Sequence, residues 1–239
     1  MRYTHTLKAV RHHPHLFKFS FIFLGISTFA ILLLGSTYLD AKIFFSGFVQ
    51  SLTRVTIAYG ISVFFSLTVA LILSESKRTE EIFLPILDVL QSFPSFAMYP
   101  LFLLWFGRST TITILILVIE MIWPILFTTL TGIKQIREDI LEAAHSYGAT
   151  GWKYHLYVLF PLLLPSIVTG SIVAWGEAWE TIIAAEIVIN VSGVGTYLAG
   201  LNNGRLLSIG IIMLLTLLFF LNKLIWLPLL NISTKYQQE

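Results

Sequence analysis

The sequence contains no cysteine. That excludes disulfides, thiolate metal sites and cysteine nucleophiles, and leaves the redox compartment undetermined. Charge is nearly as scarce: 12% of the residues are Asp, Glu, Lys or Arg and 56% are apolar, against about 25% and 45–50% in ordinary soluble domains. The net charge of +2 is small and the basic residues are dispersed, so neither a nucleic-acid face nor a basic tail is indicated. A phosphate-cradling loop needs G-x-x-x-x-G-K-[ST], and the nearest phrase, Gly148-Ala149-Thr150-Gly151-Trp152-Lys153, has the wrong spacing. No serine lies in a Gly-x-Ser-x-Gly elbow. The chain therefore reads as no enzyme, and any ATP it uses must be hydrolysed by a partner. Internal repeats, Pro-rich linkers and low-complexity tracts are also absent.

What the chain does have is length in apolar runs, with a mean hydropathy of +0.82. Runs at 19–39, 46–73, 83–106, 109–131, 161–189 and 206–230 each cover the roughly 30 Å of hydrocarbon as a helix rising about 1.5 Å per residue. They are continuously apolar and do not alternate with period two, which excludes barrel strands. The expectation is an all-α integral membrane protein of about six transmembrane helices, one transmembrane domain over 1–239 with no separate soluble domain. Residues 1–18 form a basic head with Arg2, Lys8, Arg11, Lys18 and four histidines. The run at 19–39 exceeds the roughly 7–15-residue core of a cleaved signal peptide, which favours a retained anchor. His12, His13 and His15 are read as part of a membrane-surface head, and no metal site is expected.

An even number of spans puts both termini on one side. With the termini cytoplasmic, the inside receives Arg2, Lys8, Arg11, Lys18, Lys77, Arg78, Lys134, Arg137, Lys153 and Lys235, while Lys42, Arg108 and Arg205 lie outside, with Arg54 near an outer helix end. That is the positive-inside bias of a multi-pass protein of the cell membrane. The segment 132–160 between spans four and five is then cytoplasmic.

In that segment Glu138, Asp139 and Glu142 crowd a first helical turn, where carboxylates favour the positive end of the dipole. Ile136, Ile140, Ala143, Ala144 and Tyr147 recur at helical intervals, and Gly148 is the residue type expected just past a helix end. Thr150 is placed to cap a second short helix, Gly151 to Phe160, before Pro161 opens span five. Ala143, Ala144, Ala149 and Trp152 either pack on the chain's own helix ends or permit close approach of another surface.

The run Glu142-Ala143-Ala144, with Gly148 six positions after the glutamate, then aliphatic Val158 and Phe160-Pro161, resembles the "EAA" loop of ABC importer permeases of the binding-protein-dependent type. Phe160 stands where leucine is usual. The resemblance extends over about 50–230, and "QSFPSFAMYPLFLLWFG" and "AWGEAWETIIAAEIV" look like the nitrate, taurine and sulfonate branch. It implies a type I permease without its own ATPase, importing a small solute by alternating access. Its coupling helix, at 138–160, would sit in a cleft of a separate ATP-binding subunit. Glu142 would pair with a basic group there, Ala143, Ala144, Ala149 and Trp152 would fill the groove, and Gly148 would let the backbone turn. The implied partners are two ATPase subunits, a second permease copy or close relative, an external solute-binding protein and the lipid bilayer. ATP and Mg would belong to the ATPase, with no cofactor on this chain.

Charged groups at mid-bilayer usually face the protein interior or a water path. Glu120 lies near the middle of span four. In span five, at about 100° per residue, Glu177 and Glu180 sit about 60° apart and Glu186 points about 180° from Glu177. The expected translocation path therefore includes Glu120, Glu177 and Glu180, with Trp175 and Trp179, and with Phe96 and Tyr99 from the Pro94 and Pro100 region, where each proline is expected to kink span three. Phe93, Phe96, Tyr99 and Phe102 read either as an aromatic gate or as packing. Clustered carboxylates repel an anion, so either some are neutralised by burial or a base, or the substrate is neutral or cationic. The alternative function is a stand-alone proton-coupled transporter using Glu120, Glu177 and Glu180. The glycines of "SGVGTYLAG" suit a re-entrant turn after span five.

Overall fold

The computed structural model describes residues 35, 37–74 and 76–233, and the expected first span and histidine-bearing head fall almost wholly outside them. The described chain is helical. The long helix α1 covers Ala41–Ser74, and α2 (Lys77–Gln91) and α3 (Tyr99–Phe106) follow, separated by a tight 3₁₀ turn at Ser95–Met98. Next come α4 (Thr110–Gln135), the short α5 (Glu138–Ser146) and α6 (Gly151–Tyr154), which passes through a π turn at His155–Leu159 into α7 (Phe160–Ile189). The short α8 (Val194–Ala199) and the long α9 (Gly204–Ser233) complete the described chain.

Four stretches, Ala41–Ser74, Thr110–Gln135, Gly151–Ile189 and Gly204–Ser233, are long and apolar enough to cross a membrane. The expected third span is not a straight helix. It is broken between Gln91 and Ser95, and its halves are bent by 75°. Pro94 makes this break, sitting in an extended conformation ahead of the 3₁₀ turn. Pro100, contrary to expectation, adds no kink: it occupies the first turn of α3, where a missing N–H deprives the helix of nothing. A second correction concerns Pro161. The segment from Gly151 does not end before span five but runs into it without a break, because Pro161 lies in the first turn after the π turn.

In lipid, apolar burial supplies little net drive for helix association, so close packing and interhelical hydrogen bonds must hold the helices. Gly170 on α7 lets the helices meet: a Cβ there would fall 2.7 Å from the Pro124 carbonyl oxygen and 2.9 Å from the Ile125 Cα of α4. Gly132 plays the same part toward Ser166. On the other flank of α4, Ser66 of α1 donates to the Ile122 carbonyl at 2.9 Å and Ser62 to the Val118 carbonyl at 3.2 Å. The Tyr59 hydroxyl and Ser171 Oγ lie 3.0 Å apart and link α1 to α7. The main core lies among α1, α4, α7 and α9, around Met121, Trp175, Trp179, Ile182 and Trp226.

A candidate acidic pocket and a protruding loop

The break in the third span opens a cavity of about 340 Å³, lined among others by Gln91, Ser95, Phe96, Glu120, Trp123 and Glu177. Its two carboxylates come from facing helices. Glu120 lies ten residues into α4, about 15 Å from that end, and Glu177 lies twelve residues before the neighbouring end of α7, about 18 Å away. They share a depth in the apolar layer, and both line the cavity. Neither has a hydrogen bond or ion pair among the described residues. Glu180 follows one turn on along the same exposed side of α7.

Trp175, Trp179 and Tyr99, also expected on the path, do not line this cavity. Trp175 and Trp179 are each 4% exposed, so they belong to the core: Trp179 stacks on Phe48 and Trp175 meets Tyr59 and Trp226 edge-on. Tyr99 is buried, and its hydroxyl lies 3.4 Å from the Thr181 carbonyl. Phe102 is buried with it, whereas Phe93 and Phe96 are exposed at the broken turn. The four aromatics thus divide into two that pack and two that face outward.

Past α4, the chain forms the expected helix with Glu138 and Asp139 in its first turn, while Glu142, expected there too, falls in the second. Its end is a Schellman motif: Gly148 takes φ 82°, its N–H donates to His145 at 2.9 Å, and the Ala149 N–H donates to Ala144 at 3.0 Å. Gly148 needs this left-handed conformation, which costs other residues about 1–2 kcal/mol. Thr150, expected as a side-chain cap, takes an extended conformation but makes no capping hydrogen bond. The roots of the loop are packed. His145 stacks on Tyr154 with ring centres 4.8 Å apart, Ile136 joins the cluster around Leu159 and Leu163, and Lys134 pairs with Glu80 of α2. The tip is bare: Tyr147 is 93% and Trp152 76% exposed, and Glu142, Ala143 and Gly148 are exposed beside half-buried Ala144 and Ala149. Apolar packing thus stabilises the base and leaves the tip free.

Sequence reasoning missed a third cluster. Glu186, one turn from the end of α7, is fully buried. Its Oε1 accepts from Arg54 and from Ser51 Oγ, both at 2.6 Å, and its Oε2 accepts from the Gly195 N–H at 2.9 Å. The Thr196 hydroxyl donates to the Glu186 carbonyl at 2.9 Å, and Ser51 Oγ accepts from the Val194 N–H at 3.0 Å. Glu186 therefore fastens α1, α7 and α8 together. The available signal was Arg54, a cation inside an apolar run that needs an acidic partner.

Residues 62–227 match the family described as "Binding-protein-dependent transport system inner membrane component". Among similar proteins, the taurine transport system permease protein TauC of Escherichia coli K12 is 32% identical over 145 residues, 61% of this chain and 53% of that protein. The nitrate import permease protein NrtB of Synechocystis is 29% identical over 158 residues, 66% of this chain and 58% of the relative. The putative aliphatic sulfonates transport permease protein SsuC of Escherichia coli K12 is 34% identical over 135 residues, 56% of this chain and 51% of the relative. The matched region spans about half the length of these relatives.

Proposed function

The chain belongs to the family of binding-protein-dependent transport system inner membrane components, and from that premise we propose that it is the membrane-spanning permease subunit of an ATP-driven importer. It works in this reading as one of two permease copies, with two separate ATPase subunits that hold ATP and Mg and with an external solute-binding protein. The observation that carries the proposal is the α5 tip: a Schellman-terminated helix that offers Glu142, Ala143 and the neighbouring Trp152 to a surface outside the chain. The basic residues Lys77, Arg78, Lys134, Arg137 and Lys153 gather at this end of the helices, which supports placing the loop and both termini in the cytoplasm.

The mechanism follows from continuity. From Gly151 to Ile189 the chain is one helical stretch, beginning at the tip, passing the acidic pocket at Glu177 and ending at the Glu186 fastening. Closure of the ATPase pair pushes on the tip, and a helical stretch without a break carries that push to both places. The π turn at His155–Leu159 is the joint between tip and rod. Alternating exposure of the pocket follows from tilting α7 in the two copies, and nucleotide hydrolysis resets it.

The test is purification of the chain from its own membranes, followed by reconstitution. An ATPase subunit should travel with it, and solute uptake into proteoliposomes should require ATP. Uptake by the chain alone under a proton gradient, without nucleotide, would replace this reading with that of a proton-coupled carrier using Glu120, Glu177 and Glu180; the family match does not support that carrier.

A further inference from the structure

Given the importer reading, the acidic pocket decides which kind of solute can pass. We propose that the pocket between α4, α7 and the Pro94 break is a solute-binding site for a small organic cation, a protonated amine or amidine class, held by Glu120, Glu177 and Ser95.

Charge is the first argument. The cavity wall holds the carboxylates of Glu120 and Glu177 and no basic residue. Among the described residues Arg54, the basic side chain buried in the bundle, is already committed to Glu186. Two unpaired carboxylates at one depth in an apolar layer are costly unless a positive group joins them or protons neutralise them. The second argument is independent of the acids. Ser95 is 6% exposed, lines the cavity, and makes no hydrogen bond among the described residues. Ser95 thus lines the cavity with an oxygen that no group of the described chain answers, and a partner arriving from outside can meet it there. That oxygen can accept from an N–H or donate to a polar ring atom. Gln91 and Ser92 supply further polar edges, while Phe96 and Trp123 give aromatic surfaces that favour an organic cation. The volume of about 340 Å³ sits at the small end of ligand pockets.

The names of the relatives give taurine, nitrate and aliphatic sulfonates. Nitrate or an aliphatic sulfonate would meet two carboxylates here without a cation to answer it. The pocket thus disfavours such anions by charge.

The complex isolated with its ATPase and binding protein should be reconstituted into proteoliposomes. With ATP present it is offered a mixture of ethanolamine, agmatine and acetamidine as cations, taurine as zwitterion, and ethanesulfonate and nitrate as anions, with internal contents read by mass spectrometry. One or more cations should accumulate over the anions by at least about tenfold. Glu120→Gln, Glu177→Gln and Ser95→Ala should each reduce that accumulation tenfold or more. Their thermal midpoints and bound ATPase should be unchanged, since none of the three side chains bonds within the described chain. ATP-dependent accumulation of ethanesulfonate, nitrate or taurine, or a Glu120→Gln/Glu177→Gln double variant that accumulates cations normally, overturns the cation site while the importer stands. Absence of ATP-dependent accumulation of every cation overturns the cation site, whereas failure of any ATPase subunit to travel with the chain overturns the importer reading.

Discussion

Arg54 Nη1 lies 2.6 Å from Glu186 Oε1, and neither side chain is reached by solvent to any useful extent, with 7% and 0% exposed. The pair joins two helices at one end of the bundle. A buried ion pair is weak support for stability in itself, because desolvating both charges offsets much of their attraction, but removing one partner strands the other. Glu186→Ala or Arg54→Ala should each lower stability by about 3–5 kcal/mol, read as a fall in thermal midpoint in detergent. The double variant Arg54→Met/Glu186→Leu should be clearly more stable than either single change. A double variant that loses the sum of the two singles refutes coupling between them.

The clamp also explains two glycines. A Cβ on Gly193 would sit 2.0 Å from the Glu186 carboxyl carbon, and one on Gly195 would sit 2.6 Å from the Ile183 carbonyl. Gly193→Ala must therefore push the carboxylate off Ser51 and the Gly195 N–H, or lift α8 away from α7. The loss should approach that of Glu186→Ala, and combining the two should cost little more than one alone. Cysteine labelling at a surface position on α8 would follow the lifting directly. Full additivity of Gly193→Ala with Glu186→Ala would show that the glycine has some other reason to be there.

Much of this architecture was legible in one dimension. Long apolar runs gave the membrane class and the four long helices, and helical phase separated Glu177 and Glu180 from Glu186, which are exposed and buried as their angles require. Gly148 was readable as a helix end because the left-handed backbone selects glycine locally. Three features were not readable. Arg54 and Glu186 are 132 residues apart, and only the packing of α1 on α7 brings them together. Pro161 looks like a helix opening because proline is tolerated in the first turn, and whether helix precedes that turn is decided upstream. Trp175 and Trp179 share a helix with the acids, yet the contacts that draw them into the core come from Phe48, Tyr59 and Trp226 on other helices.

Gly148 offers a test that separates coupling from folding. A Cβ there meets nothing within 4 Å, yet φ of +82° strains any L side chain. Gly148→Val should thus leave the spans and the pocket in place while straining the Schellman turn by about 1–2 kcal/mol. Because the turn aims Ala149 and Trp152, the expected result is a thermal midpoint near that of the parent together with ATP-driven uptake reduced several-fold. Unchanged uptake would mean that the turn's geometry has no part in transmitting force.

Glu142 completes the argument for the tip. Its carboxylate is exposed and has no side-chain partner among the described residues, and only its backbone carbonyl is used, accepting from Ser146 Oγ at 2.9 Å. Replacing it should cost the isolated chain little, since exposed positions away from caps and networks usually change stability by about 0.5 kcal/mol or less. If it pairs with a basic group on the ATPase, Glu142→Lys replaces attraction with repulsion at a desolvated contact, an exchange worth several kcal/mol in other interfaces. Glu142→Lys should then insert and pack normally, fail to retain the ATPase through purification, and abolish ATP-driven uptake. Glu142→Gln, which removes the charge without reversing it, should bind the ATPase weakly and transport at an intermediate rate. A compensating acidic substitution at the contacting base of the ATPase should restore binding to Glu142→Lys. Normal ATPase retention by Glu142→Lys would leave the exposed tip without the docking role assigned to it.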